Sequence, residues 1–205
     1  MLGYMANAIN SRGEKDMSIK KGVTALAVGS LVCIAMAGSR GLAVAQHETG
    51  HMKGPSISKA VAILLPTKGS NVQGRVTFIE EDHKVRVHAE ISGLTPGAHG
   101  FHIHEFGVWS EDGMAAGSHY DPTATKHHAG IDVPKRHVGD LGNITANANG
   151  NASLDLYDEQ LSFYGPTSII GRGVVVHEKA DDLMSQPSGN AGGRLAVGVI
   201  GVAKP

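Results

Sequence analysis

The chain has 205 residues, 41% of them hydrophobic and only 4% aromatic, with 28 glycines and a formal net charge of −1. That composition suits one folded domain rich in turns. Near-neutral charge, with no run of Lys or Arg along a face, excludes the basic footprint of a nucleic-acid binder.

The N-terminus is a different material. Lys20 and Lys21 precede an uncharged, mostly apolar run from Gly22 to Gly38, the order of a secretory signal. Small-residue sites follow at Ala35-Met36-Ala37 and Ala43-Val44-Ala45. Cleavage therefore falls after Ala37 or Ala45, residues 1–45 are assigned to the signal peptide, and Met17 is an alternative start. The run is short for a spanning helix, which needs about 20 apolar residues, so no stable membrane anchor is expected. Cys33, the only cysteine, lies in this segment. Without residues 1–45, 13 Lys and Arg face 17 Asp and Glu, a net charge of −4, and no disulfide supports the exported domain.

Residues 46–57 read as a polar flexible tail, in which His47 and His51 are solvated. Ile57 to Pro66 is rich in Ala, Val, Ile and Leu, and a turn follows at 67–71. Val72 to Ile79 alternates apolar and polar residues, as does Val85 to Ile91, so both are half-buried strands around a charged turn at Glu80-Glu81-Asp82. Leu94-Thr95-Pro96-Gly97 leads into a fourth strand, 98–104, that carries His102 and His104. Residues two apart on a strand face the same way, so these two imidazoles converge on one point. Imidazole suits copper, zinc, iron or nickel.

From Phe106 to Arg136 the periodicity stops. A structureless stretch of that length in a compact domain is functional or disordered. It carries His119, His127 and His128, with His137 and Asp140 just beyond it. Such density of histidine has no packing explanation, whereas a bound metal would tie the loop down. Patterning returns at 143–156, around a hairpin turn at Asn147–Asn151, and at 169–176, a strongly apolar strand ending at His177. A second irregular segment spans 178–193, before a last strand at 194–202. Eight short strands joined by Gly and Pro turns argue for an all-β, antiparallel sandwich or barrel with two long functional loops.

Seven donors result: His102, His104, His119, His127, His137, Asp140 and His177. Tetrahedral zinc takes about four. Two neighbouring sites that share one bridging imidazole would use four each. The absence of thiolate argues against copper(I) storage and blue-copper electron transfer, which want sulfur.

Six segments now carry a resemblance: HGFHIHEFG at 99–107, GSHYDP at 117–122, KH at 126–127, RHVGDLGN at 136–143, IIGRGVVVHEKADDL at 169–183 and GNAGGRLAVGVIG at 189–201. In this order and spacing the chain resembles the copper/zinc superoxide dismutases of the bacterial exported kind, over about residues 58–205. The resemblance implies a Greek-key barrel, copper on His102, His104, His119 and His177, and zinc on His119, His127, His137 and Asp140. It makes Asp181 the carboxylate linking a copper histidine to a zinc histidine, and Arg194 the cation that docks superoxide beside copper. The implied reaction is disproportionation of superoxide to dioxygen and hydrogen peroxide, with protons passing through His119 and a periplasmic location. The copper donor is unspecified, and a homodimer is left open. An exported copper and zinc buffer is the competing reading. A zinc hydrolase would need a general base beside an open zinc position, and no carboxylate stands in that relation.

Two departures stand out. The family's disulfide positions are occupied by Gly113-Met114 and by Val197, which suggests an apolar contact of Met114 with Val197 in place of the staple. His127 fits the spacing from His119, but its gap to His137 is one residue long, so His128 is the alternative zinc ligand.

Overall fold

Period-two alternation becomes strand nearly everywhere the sequence carries it. The structure, a computed structural model, describes residues 56–205. The signal segment, its cleavage sites, Cys33, His47 and His51 lie outside the described residues. The strands are β1 (Lys59–Pro66), β2 (Gln73–Glu81), β3 (Lys84–Ser92), β4 (Gly97–His104), β5 (Asp140–Ala146), β6 (Ala152–Asp158), β7 (Gly173–His177) and β8 (Arg194–Val199), with a two-residue continuation, β9 (Gly201–Val202).

The strands described pair antiparallel throughout, in the order β1-β2-β3-β6-β5-β4-β7-β8 and back to β1. β8 and β9 both pair with β1, so they form one barrel strand interrupted at Ile200, and the barrel closes with eight strands. The β3–β6 and β4–β7 pairings require chain crossovers at the barrel ends, which is the Greek-key connection. Closure leaves no free sheet edge.

Register sets the core. Val76 faces Ala89 and Phe78 faces Val87 across β2 and β3, all inward, while Thr77 and His88 between them point outward. Phe101 and Ile103 of β4, Ile144 of β5 and Val174 and Val176 of β7 are fully buried in the same core. Since β4 alternates, core-facing Phe101 and Ile103 oblige His102 and His104 to face the other way, beneath the long loops.

Three boundaries differ from the sequence reading. Glu80 and Glu81 belong to β2, and the hairpin turns on Asp82 and His83, both with positive φ (48° and 64°), as a two-residue turn of the right twist demands. β5 starts at Asp140 instead of Asn143, because the metal-donor residues lead straight into the sheet. Residues 169–172 form a turn, so β7 is only five residues long, although Ile169 is fully buried. Residues 105–139 contain no regular element except a 3-10 turn at Met114–Ala116. Among the described residues no helix is long and apolar enough to cross a membrane.

Candidate metal centre

The site lies on the outer face of β4 and β7, roofed by segments 105–139 and 178–193. Two backbone approaches fix the roof. Gly139 N–H donates to the Tyr120 carbonyl and its own carbonyl accepts from Ile103, both at 2.9 Å. A β-carbon there would overlap the Ile103 carbonyl oxygen, so only glycine permits this contact.

Two groups of donors form beneath the roof: His102, His104, His119 and His177, and His119, His128, His137 and Asp140, all buried. His119 belongs to both. In the first group, each imidazole spends one nitrogen on the protein. His102 Nε2 lies 2.7 Å from Asp181 Oδ2, His104 Nδ1 donates to the Gly117 carbonyl at 2.9 Å, His119 Nδ1 lies 2.7 Å from Asp140 Oδ1, and His177 Nδ1 is 3.3 Å from the Gly192 carbonyl. The opposite nitrogens are left: Nδ1 of His102, and Nε2 of His104, His119 and His177. Among the described residues, His102 Nδ1 and His119 Nε2 are buried without any hydrogen-bond partner. Buried polar atoms are normally satisfied. His104 Nε2 and His177 Nε2 stand 3.3 Å apart on the same side. Four lone-pair donors around one point fit a copper ion, and the partners on the far nitrogens fix ring orientation.

The second group centres on a carboxylate oxygen. Asp140 Oδ1 faces Nδ1 of His119, His128 and His137 at 2.7, 3.0 and 3.3 Å. Three imidazole nitrogens and one carboxylate oxygen are a donor set that fits tetrahedral zinc.

The structure corrects one residue of the zinc set. His127 is exposed and outside both groups, while His128 is fully buried. The His127 carbonyl accepts from His137 N–H at 3.0 Å, an arrangement that leaves the His127 side chain facing solvent and the next one facing the cage. His128 also completes the link expected of Asp181: its Nε2 lies 2.9 Å from Asp181 Oδ1, whose other oxygen holds His102.

Burial disfavours charged imidazole. It brings His177 down to about 3 and His119 to about 4, and holds His102 and His104 below their ordinary values, so these rings are neutral and free to donate lone pairs. At His128 burial acts the same way, but hydrogen bonds to Asp140 and Asp181 outweigh it and raise the group to about 9. Burial likewise opposes ionisation of Asp140, yet three imidazoles hold it far below the carboxylate range. The zinc-side cage thus favours a positive charge at its centre.

Arg194, at the start of β8, stands opposite His177 in register. Its guanidinium donates to the carbonyls of Gly113 (2.6 Å) and Gly117 (2.5 Å) and lines a cleft of about 690 Å³ together with His104, His119 and His177. The expected Met114–Val197 contact does not carry the staple's place. Met114 is 61% exposed, and it is Gly113 that packs here: a β-carbon on it would lie 3.2 Å from Val197 and 2.9 Å from the Arg194 side chain. Val197 is instead buried with Ala116 and Val175.

Three supports were not singled out from sequence. Buried His99 reaches the His177 carbonyl through Nδ1, 2.8 Å, and the Thr95 carbonyl through Nε2, 2.9 Å. Asn143 donates to the Asp181 carbonyl and accepts from its N–H, 2.9 and 2.8 Å. Gln186 bonds the backbone of His128. His99 and Asn143 sit inside quoted motifs, which was a usable signal; Gln186 lies outside all of them.

An eight-stranded Greek-key barrel whose outer face gathers two buried donor groups around one shared imidazole defines a β-barrel protein whose His and Asp clusters are compatible with metal binding. A family model described as copper/zinc superoxide dismutase (SODC) matches residues 72–200, and the chain belongs to that family. Among solved structures, a crystal structure titled for the clock protein EA4 is 45% identical, with a TM-score of 0.65, covering 71% of this chain and 95% of that one.

Proposed function

We propose that this chain disproportionates superoxide to dioxygen and hydrogen peroxide at a copper centre bridged by His119 to a structural zinc. The shared imidazole carries the reading: His119 turns Nδ1 to the carboxylate-centred cage and leaves Nε2, buried and without a partner among the described residues, in the all-histidine one. Copper would be held by His102 Nδ1 and by Nε2 of His104, His119 and His177; zinc would be held by Nδ1 of His119, His128 and His137 and by Asp140 Oδ1. Bound copper supplies one-electron cycling, accepting an electron from one superoxide and returning it to the next. Arg194 docks the anion, since two carbonyls fix its guanidinium on the cleft wall beside His104, His119 and His177 and use only two of its five N–H groups. A net charge of −4 on residues 46–205 repels superoxide at a distance, so the local field of Arg194 has to prevail. When it does not hold copper, His119 Nε2 would take one proton from solvent and pass it to the departing peroxide, whose second proton would come from solvent directly. Asp181 keeps His102 and His128 oriented by one carboxylate.

Export through residues 1–45 and a periplasmic location belong to the same proposal, as does a partner: a second copy of the chain. Ile63 and Leu65 of β1, Val199 of β8, and Val108 and Trp109 form an apolar strip with each side chain roughly half exposed. Trp109 Nε1 donates to the Pro66 carbonyl, which fixes it at the end of β1. With a polar rim around it, such a strip would form the centre of an interface of the ~800 Å² per partner that a stable dimer buries. Sedimentation of the wild type and Ile63→Glu tests this: a dimer that becomes monomeric supports it, and a wild-type monomer refutes it.

The enzymatic reading is tested by loading metal-free protein with copper and zinc, counting both by elemental analysis, and following superoxide decay. Equal copper and zinc per chain is expected, with His119→Ala weakening retention of both. Loss of only one metal in that variant would sink the shared-ligand reading.

A further inference from the structure

We infer that Gln186 is a positioning residue that sets the zinc-side cage by clamping the backbone of His128. The inference rests on the assignment of His128 to zinc made above. Gln186 Oε1 accepts from His128 N–H at 2.7 Å, and its Nε2 donates to the His128 carbonyl at 2.8 Å. One primary amide therefore acts as a neighbouring strand would, satisfying both backbone groups of a residue that lies in no strand. No other hydrogen-bond partner of the His128 N–H or carbonyl occurs among the described residues.

The ring of His128 is held separately, by Asp140 at Nδ1 and Asp181 at Nε2. Residues 181–186 thus grip His128 at three points, and they bind the late loop to the histidine-rich one. The part that delivers Gln186 is itself locked. The Asp182 carboxylate accepts from the N–H groups of Met184 and Ser185 and from the side chains of Ser185 and Asn190. Gly189 N–H donates to the Ser185 carbonyl at 2.7 Å and its carbonyl accepts from Asp182 at 2.9 Å. Gly189 has φ +64°, and a β-carbon on it would overlap Asp181 Oδ1 and His128 Nε2. The turn is built so that carboxylate, imidazole and amide meet without intervening side chains.

This clamp matters more here because the barrel domain contains no cysteine to staple its long loop. Order in residues 178–193 becomes a condition for a well-formed zinc cage. Removing a partner that orients a metal ligand commonly costs about 10–100-fold in metal affinity, and a contact to the backbone belongs at the lower end, about 10-fold.

The experiment is competition of the purified chain against a metallochromic chelator, with zinc, cobalt(II) and copper(II) as probes, for the wild type, Gln186→Ala, Gln186→Glu and His128→Ala. Gln186→Ala should weaken zinc about 10-fold and alter the visible absorption of cobalt in the zinc-side cage, while copper affinity and the unfolding midpoint of metal-free protein change little. Gln186→Glu keeps the acceptor for His128 N–H but loses the donor, so it should fall between. Unchanged zinc affinity and cobalt spectrum in Gln186→Ala would overturn the inference. So would equal weakening of zinc and copper together with a lower metal-free midpoint, which would mark a merely structural contact. If His128→Ala retained zinc, the ligand assignment itself would be wrong; loss of zinc there with normal zinc in both Gln186 variants would refute the clamp alone.

Discussion

Removing the Asp158 carboxylate should cost more stability than any surface change. Arg136 and Asp158 are each 2% exposed and form a buried ion pair between the histidine-rich loop and the end of β6. Arg136 also donates to the carbonyls of Ile131, His137 and Val138, while Asp158 Oδ1 accepts from Gln160 and Leu161 N–H. In Asp158→Ala the guanidinium stays buried with only neutral carbonyls as acceptors, and two backbone donors lose their partner. Breaking one side of a buried pair costs about 3–5 kcal/mol. At roughly 2–4 °C per kcal/mol for a domain of this size, the midpoint should fall by about 6–20 °C. Asp158→Asn keeps an oxygen for Gln160 and Leu161 and should lose less, about 1–3 kcal/mol. Urea unfolding of metal-free protein, followed by circular dichroism, measures both. An Asp158→Ala loss below about 1 kcal/mol with unchanged m-value would refute the reasoning.

His127→Ala should retain full zinc by elemental analysis and His128→Ala should lose it; the reverse pattern would contradict the geometry. Arg194→Ala should lower kcat/KM for superoxide by at least about 10-fold at low ionic strength and flatten its salt dependence, and a rate equal to wild type would remove Arg194 from anion docking. Phe101→Ala opens the centre of the core and should cost about 3–5 kcal/mol in the same urea assay, a loss under about 1 kcal/mol counting against the core packing. The hydrogen bond from Arg86 and its charge hold exposed Asp155 below its ordinary value. That contribution is complete above about pH 4 and is lost as pH falls through the lowered folded-state value. Asp155→Asn should therefore unfold less steeply in acid, and an acid titration identical to wild type would contradict this.

Strand positions were legible because alternation is a local signal, and β2 and β3 show it with facing pairs such as Phe78 and Val87. Strand order was not local. The β3–β6 and β4–β7 pairings join residues far apart in sequence, and they came from the resemblance instead of from periodicity. The histidines of the first cage were all among the seven donors the sequence offered, with His102 and His104 on one strand face and His177 at the end of an apolar strand, but their sorting into one group came from the resemblance. His127 and His128 were not separable by type, because adjacent identical side chains differ only in which one the backbone turns inward. That choice is made by the His137 N–H to His127 carbonyl bond and by Gln186 58 residues away. Spacing counts between histidines see neither. Ile169 shows the opposite case: apolarity announced burial correctly, but as a turn residue, not a strand residue.

The rate of superoxide disproportionation, titrated against copper bound to zinc-loaded protein, tests the central claim most directly. The account predicts a fast rate that rises linearly until one copper per chain is bound and then stays level. Full copper binding with decay no faster than that of free copper would contradict it and leave a protein that holds the metal without turnover.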